Sequence, residues 1–188
     1  NYNAEQARVA IRTLREMGTP MLIHQPNYSM LNRSIENGLT KVLEEEGVGC
    51  IAFAPLRNGI LTNRYLNGIP SDSRAAHDPR YLKSSDITED KIAIVRKLAV
   101  IAERRGQTVA QLALQWTLRD EVVTSALIGA SRPEQVEENV RAFSSQSLTR
   151  EELDEIERIL LEKNNDGYKL APLYDYTSSM AGNYYKTY

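Results

Sequence analysis

Two hydrophobic patterns alternate along this chain. Stretches in which apolar residues recur every three to four positions, as on one face of an amphipathic helix, are separated by short runs that are apolar throughout. The first helical stretch begins after a cap-like Asn3, with Gln6 three residues later, and ends at Gly18. The same spacing predicts further helices in 35–47, 89–106, 108–120, 131–143 and 149–162.

The uninterrupted apolar runs predict strands in 20–26, 48–55 and 121–129. Continuous rather than alternating runs are typical of parallel strands that are buried on both faces. Strands that alternate with helices predict an α/β fold with right-handed crossovers, either an open doubly wound sheet or a (β/α) barrel. Two stretches lack both patterns: a loop from Arg57 to about Ser85, which is long for a compact domain, and a Tyr-rich tail in 163–188.

Composition narrows the classes of function. The 188 residues are 41% apolar and carry a formal net charge of −2 without a dense basic run, which argues against nucleic acid or an anionic membrane surface as a partner. No apolar stretch reaches the ~20 residues of a membrane span, so we expect no membrane insertion. The chain also begins without Met or a signal-like segment, and we therefore expect it to start inside a longer chain.

Cys50 is the only cysteine and lies in an apolar run. A single cysteine excludes an intramolecular disulfide and a cysteine metal cluster. We expect a buried thiol in a protein of a reducing compartment, and hence a cytoplasmic location.

In α/β folds, ligands bind at the carboxyl ends of the strands. After the third strand, Gly129 frees the backbone to turn, and Ser131 can cap the next helix and pair with Glu134. The first N–H groups of that helix form an anion site, to which Arg132 adds a positive charge. The alternative is an ordinary capped and solvated helix start.

The same helix carries a polar arc and an apolar arc. Gln135, Glu138 and Asn139 fall on one narrow face, which suits a purine one turn beyond a phosphate because these side chains offer both donors and acceptors. The apolar arc is expected to face the core, and it consists of Val136, Val140 and Phe143.

The other two strand ends offer fewer groups. Phe53 can stack on a planar ring, and Arg64 and Arg74 on the long loop can close over a pyrophosphate; otherwise Phe53 is core and the arginines face solvent. After the first strand, Gln25 matches a carboxamide. The neighbouring His24 is better explained as a packed or capping residue than as a catalytic one.

Three segments, read in order, resemble the aldo-keto reductase family: "HQPNYSMLNR", "AFAPLRNGILTNRYLNGIPSDSR" and "IGASRPEQVEENV". The resemblance is strongest to the group of potassium-channel β subunits and bacterial glyceraldehyde 3-phosphate reductases. It implies that 1–162 is the C-terminal portion of a (β/α)₈ TIM barrel, about strands six to eight with their helices. The tail in 163–188 takes no part in it.

The resemblance implies NADP(H) as cofactor and a small aldehyde or ketone as the substrate that is reduced. It places no catalytic residue here, because the family's Asp, Tyr, Lys and His precede the position of Asn1. Arg64 replaces a usual lysine, and Asn63 stands where glycine is usual. The cofactor-binding residues that it implies are Asn1, Gln25, Phe53, Ala54, Pro55, Leu56, Arg57, Asn58, Arg64, Arg74, Gly129, Ser131, Arg132, Gln135, Glu138 and Asn139.

Two further expectations follow from the same resemblance. A non-catalytic NADP(H)-binding regulatory subunit of the channel β-subunit type is the alternative to an enzyme. Because the strands are apolar on both faces, a chain with open sheet edges is also expected to form a homo-oligomer and to be inactive alone.

Overall fold

The computed structural model describes residues 1–78 and 80–161, so the predicted tail in 163–188 lies outside the described residues. Strands and helices follow one another in the predicted order. The elements are α1 (Ala4–Glu16), β1 (Ile23–His24), α2 (Leu39–Glu46), β2 (Gly49–Phe53), α3 (Arg74–His77), α4 (Glu89–Arg104), α5 (Val109–Thr117), β3 (Val123–Leu127), α6 (Pro133–Arg141) and α7 (Arg150–Leu161).

The three strands form one parallel sheet in the order β1-β2-β3. His24 pairs with Cys50, and Phe53 pairs with Leu127 near the carboxyl ends. The predicted burial of Cys50 is confirmed: its side chain is fully buried in the central strand, and this burial raises the pKa of the thiol to about 11.

Helix α5 is the most buried helix of the fold. All of its residues from Val109 to Thr117 are buried, and it contacts α4, α6 and β3. A capping box begins the helix, since the Thr108 side chain accepts from the Gln111 N–H and the Gln111 side chain accepts from the Thr108 N–H. Along the described part of the chain, no helix is long and apolar enough to cross a membrane.

A buried ionic cluster joins the segment after β1 to the end of α5. Glu36 accepts from Arg33 at 2.6 and 2.9 Å, from the Tyr28 hydroxyl at 2.7 Å and from Arg119 at 3.2 Å. The Arg119 guanidinium also lies over the Trp116 ring, 3.7 Å from its centroid. Although burial opposes it, the charges of Arg33 and Arg119 lower the pKa of Glu36.

Two predicted boundaries differ from the structure. Helix α2 begins at Leu39 rather than at residue 35, because Gly38 has a left-handed φ of 92° that interrupts the helix; the preceding Ser34–Glu36 form one 3₁₀ turn. The long loop also contains local structure, namely 3₁₀ turns at Arg57–Gly59, Asn63–Tyr65 and Ser84–Asp86 in addition to α3.

The predicted burial of both faces is wrong for the outer strands β1 and β3, and the predicted burial of the apolar arc that begins on α6 is wrong as well. Within 1–78 and 80–161, no strand covers the outer edges of β1 and β3, and Ile23 and Leu127 are 48% and 51% exposed. In α6, it is Asn139 that turns inward, because the helix packs on α5 through that side. The exposed apolar arc consists of Val136, Val140 and Phe143.

Candidate functional site

The carboxyl ends of the three strands, where the sequence predicts the site, lie side by side at one end of the sheet. The Phe53 N–H donates to the Pro26 carbonyl at 2.9 Å, and the Phe53 carbonyl accepts from the Tyr28 N–H at 3.2 Å. On its other side, Phe53 pairs with Leu127, two residues before Gly129. The half-buried Phe53 therefore lies between the end of β1 and the end of β3.

The end of β1 combines a buried ring with exposed amides. His24 is buried and stacks on Tyr2, with 6.0 Å between the ring centroids, and burial lowers the pKa of its imidazole. This confirms the interpretation of His24 as a packed residue. Asn1 accepts from the Asn27 N–H through its side-chain oxygen at 3.0 Å, and the adjacent Gln25 is exposed.

The turn after β2 has an unusual backbone. Ala54, Arg57 and Asn58 adopt positive φ angles of 54°, 48° and 57°, and Gly59 follows at 100°. Left-handed conformations are costly for residues with a Cβ, and they cluster where backbone groups are held for function. Asn58 fixes this turn by donating from its side-chain amide to the Tyr81 carbonyl at 2.7 Å. The handedness of this turn was not predicted from the sequence.

On the long loop, Arg64 already has an anionic partner. Its Nη2 lies 3.0 Å from the Asp72 carboxylate and also donates to the Asp72 carbonyl at 3.1 Å. The hydrogen bond from Arg64 lowers the pKa of Asp72. Both side chains are exposed, and Arg74 is exposed at the start of α3. The contact of Arg64 with Asp72 was not predicted, because a contact within an aperiodic loop has no spacing signal.

At the start of α6, the predicted cap of Ser131 with Glu134 is wrong. Arg132 is the N-cap residue with an extended backbone, since Pro133 occupies the first helical position and thereby makes Gln135 the third. The Gln135 side-chain oxygen accepts from the Ser131 N–H at 2.8 Å, the Ser131 hydroxyl at 3.1 Å and the Arg132 N–H at 3.3 Å. Several donors therefore converge on one oxygen position.

The polar arc of α6 is the less exposed side of the helix. Asn139 is only 6% exposed, whereas Val140 beside it is 62% exposed. Glu138 and Gln135 are half-buried, and the Glu138 carbonyl accepts from the Gln111 side chain at 2.7 Å. A simple solvated helix face does not describe this arrangement.

A cavity of about 300 Å³ lies elsewhere, beside the buried ionic cluster. Its charged lining includes Glu36 and Arg119, which already bind each other. The candidate site is instead the open surface at the strand ends.

The sequence of 1–161 matches the model of the Aldo/keto reductase family. The chain belongs to this family. A solved relative is a glycerol dehydrogenase from Gluconobacter oxydans, with a TM-score of 0.62 over 88% of this chain and 57% of that one, at 24% identity. This likeness shows that the three-stranded sheet and its helices have the aldo-keto reductase fold.

Three further relatives are more similar in sequence. L-glyceraldehyde 3-phosphate reductase of Escherichia coli K12 is 46% identical over 162 residues, which are 84% of this chain and 47% of that protein. Proteins assigned as voltage-gated potassium channel subunit beta match at 39% identity in Schizosaccharomyces pombe and 35% in Arabidopsis thaliana, over 72% and 76% of this chain. They confirm the predicted group. The chain spans about half the length of these relatives, at 47%, 41% and 44%.

Proposed function

We propose that this chain forms the cofactor-binding part of an NADPH-dependent reductase that converts aldehydes or ketones to alcohols. The observation that carries the proposal is the meeting of three unlike groups at one sheet edge: the amide of Gln25, the strained turn 54–59 and the donor cluster before α6. Family membership supports the same activity.

The residues at this edge fit a nicotinamide dinucleotide. Three N–H or O–H donors of Ser131 and Arg132 converge on a single oxygen, here that of Gln135, and the same convergence suits a phosphate oxygen. Arg132 would bind the 2′-phosphate that distinguishes NADPH from NADH. Gln135, Glu138 and Asn139 would bind the adenine.

At the other end, the Gln25 amide would bind the carboxamide near Asn1, and Phe53 would pack against the nicotinamide ring. The turn of Ala54, Pro55, Leu56, Arg57 and Asn58 would line the pyrophosphate, with Arg64 and Arg74 above it and Gly129 giving room beside it. The bound cofactor supplies the hydride. The protein excludes water and orients the ring, while the proton donor is expected outside this chain.

The substrate class rests on the reductase relative named for L-glyceraldehyde 3-phosphate. We infer that the native protein reduces a small aldehyde in the cytoplasm, that it is the longer barrel of which this chain is the C-terminal portion, and that it self-associates. Relatives about twice as long as the matched region support the inference of a longer barrel.

The channel-subunit relatives favour a second function. In that case the native protein binds NADP(H) at the same residues and acts as a regulatory subunit without turnover. Both functions require the same cofactor site, so binding and turnover have to be measured separately.

The experiment is a fluorescence titration of the native protein with NADPH, followed by NADPH oxidation in the presence of glyceraldehyde 3-phosphate or small aldehydes. Binding with aldehyde-dependent oxidation supports the reductase. Binding without oxidation of any aldehyde supports the regulatory subunit, and absence of NADPH binding contradicts both.

A further inference from the structure

One residue of the long loop is bonded directly to the most buried helix. The side-chain oxygen of Asn63 accepts from the Val109 N–H at 3.0 Å, although the two residues are 46 positions apart. Asn63 begins the 3₁₀ turn Asn63–Tyr65, and Val109 is the first residue of α5. The contact therefore links a surface loop to the N-terminus of a helix.

The geometry makes this bond a firm anchor. The first N–H groups of a helix have no partner within the helix and need acceptors from outside it. At α5, the Thr108 side chain accepts from the Gln111 N–H, and the Asn63 side chain accepts from the Val109 N–H. Val109 is fully buried, so loss of the Asn63 oxygen would leave a donor without an acceptor in a poorly hydrated place.

The anchor is adjacent to the loop arginine. The Arg64 N–H donates to the Thr62 hydroxyl at 3.2 Å, and the following Tyr65 is 2% exposed. The backbone of Arg64 is thus held on one side by the bond between Asn63 and the start of α5, and on the other side by the buried ring of Tyr65. Its guanidinium, 41% exposed, extends from this fixed base toward Asp72.

We propose that Asn63 is a positioning residue, which holds Arg64 through the N-terminus of α5 so that its guanidinium meets the cofactor phosphates. This inference rests on the proposed function, because the role of Arg64 toward the cofactor is itself part of that proposal. Pre-ordering the arginine reduces the entropy lost when the loop closes on a ligand.

The test compares Asn63→Ala, Asn63→Gly and Asn63→Asp in the native protein. Alanine and glycine remove the acceptor, and we expect NADPH to bind about three- to tenfold more weakly. Aspartate keeps an acceptor at a helix N-terminus, where negative charge is favourable, and is expected to restore wild-type affinity. Affinity is measured by fluorescence titration, and unfolding without cofactor is followed in parallel.

A double-mutant cycle with Arg64→Ala separates positioning from a general loss of stability. Arg64→Ala alone should weaken NADPH binding, and Asn63→Ala added to it should weaken binding little further. Fully additive effects, wild-type affinity in Asn63→Ala, or no restoration by Asn63→Asp would each overturn the inference while leaving the proposed function intact. Unchanged NADPH binding in Arg64→Ala would instead contradict the proposed role of Arg64, and this inference with it.

Discussion

Under the proposed function, Gln135 occupies the position that the phosphate would take. Its side-chain oxygen takes the N–H and hydroxyl of Ser131 together with the N–H of Arg132. A phosphate oxygen that bound the same donors would displace it, and the released amide could then turn to the adenine. Under the proposed function, the same side chain would satisfy the helix start before binding and contribute to recognition afterwards.

Discrimination between NADPH and NADH is expected to depend on Arg132. Arg132→Ala should weaken NADPH binding by about tenfold or more, since a hydrogen bond to a charged group contributes roughly 1.5–3 kcal/mol. NADH has no 2′-phosphate and should bind as before. Fluorescence titrations of both cofactors provide the measurement, and an equal loss of affinity for the two would show that Arg132 acts elsewhere.

Glu138 and Asn139 are expected to differ in their contribution to stability. Glu138→Ala should weaken NADPH binding and change the unfolding free energy by no more than about 0.5 kcal/mol, because its side chain is only half-buried. Asn139→Ala should lower the unfolding free energy by about 1 kcal/mol, because Asn139 is 6% exposed. Urea unfolding without cofactor distinguishes them, and equal stability of the two variants would contradict the structure.

The residue types at the strand ends could be predicted from the sequence, but their local partners could not. Gln25, Phe53 and Gly129 lie at the ends of apolar runs, and parallel strands bring such positions to the same end of the sheet. The bonds of Asn63 to Val109 and of Arg64 to Asp72 depend on the path of an aperiodic loop. No period in the sequence encodes that path.

At the scale of elements, the turn after β2 depends on left-handed residues, and Asn58 tests how much that conformation costs. Asn58→Gly and Asn58→Ala both remove the bond to the Tyr81 carbonyl, but only glycine adopts a φ of 57° without strain. We therefore expect the alanine variant to be less stable than the glycine variant by about 1 kcal/mol in urea unfolding. Equal stabilities would show that the turn relaxes.

The ionic cluster around Glu36 predicts a pH dependence of stability. The pKa of Glu36 is lowered from its ordinary value of 4.5, so its carboxylate stabilises the fold fully above that pH and loses this effect as the pH falls through the folded-state pKa. Glu36→Gln should cost about 2 kcal/mol at neutral pH, less than for a fully buried pair because Glu36 keeps 23% side-chain exposure. The difference from wild type should shrink on acidification below pH 4.5. A pH-independent difference in urea unfolding would argue against the ionic contribution.

The order of helices and strands could be predicted because the spacing of apolar residues along each segment distinguishes a helix from a buried strand. The ends of these elements were less predictable. Gly38 lies inside a continuous helical pattern, and only its left-handed φ of 92° moves the start of α2 to Leu39. For α6, the apolar period suggested the wrong inward face, because the helix meets α5 through Asn139 and the Glu138 carbonyl, which accepts from Gln111.

At the scale of the whole molecule, the central strand of the sheet is buried, whereas apolar residues at its outer strands are exposed. Cys50 and Ala52 in β2 are fully buried, whereas Leu22 beside β1 is 74% exposed. An apolar residue at such an edge is typical of a strand that continues its sheet with another strand. Family membership explains why these runs looked buried on both faces in the sequence, since the strands of a (β/α) barrel face packed interior side chains on one side and helices on the other.

The outer strands of the sheet predict how the 188-residue chain behaves when it is produced alone. The edges of β1 and β3, which no strand of 1–78 and 80–161 pairs, should drive self-association together with the exposed Val140 of α6 and Phe143 just after it. Exposed apolar surface and unpaired strand groups are both relieved by contact with another copy. Under the proposed function, in which the proton donor is expected outside this chain, we also expect no aldehyde-dependent NADPH oxidation. Sedimentation velocity over a range of concentrations measures the association. Replacing Val140 and Phe143 with lysine should reduce it if the α6 face contributes, and Leu22→Lys should reduce it if the β1 edge does. A wild-type chain that sediments as a monomer at all concentrations would show that these surfaces are stable in water.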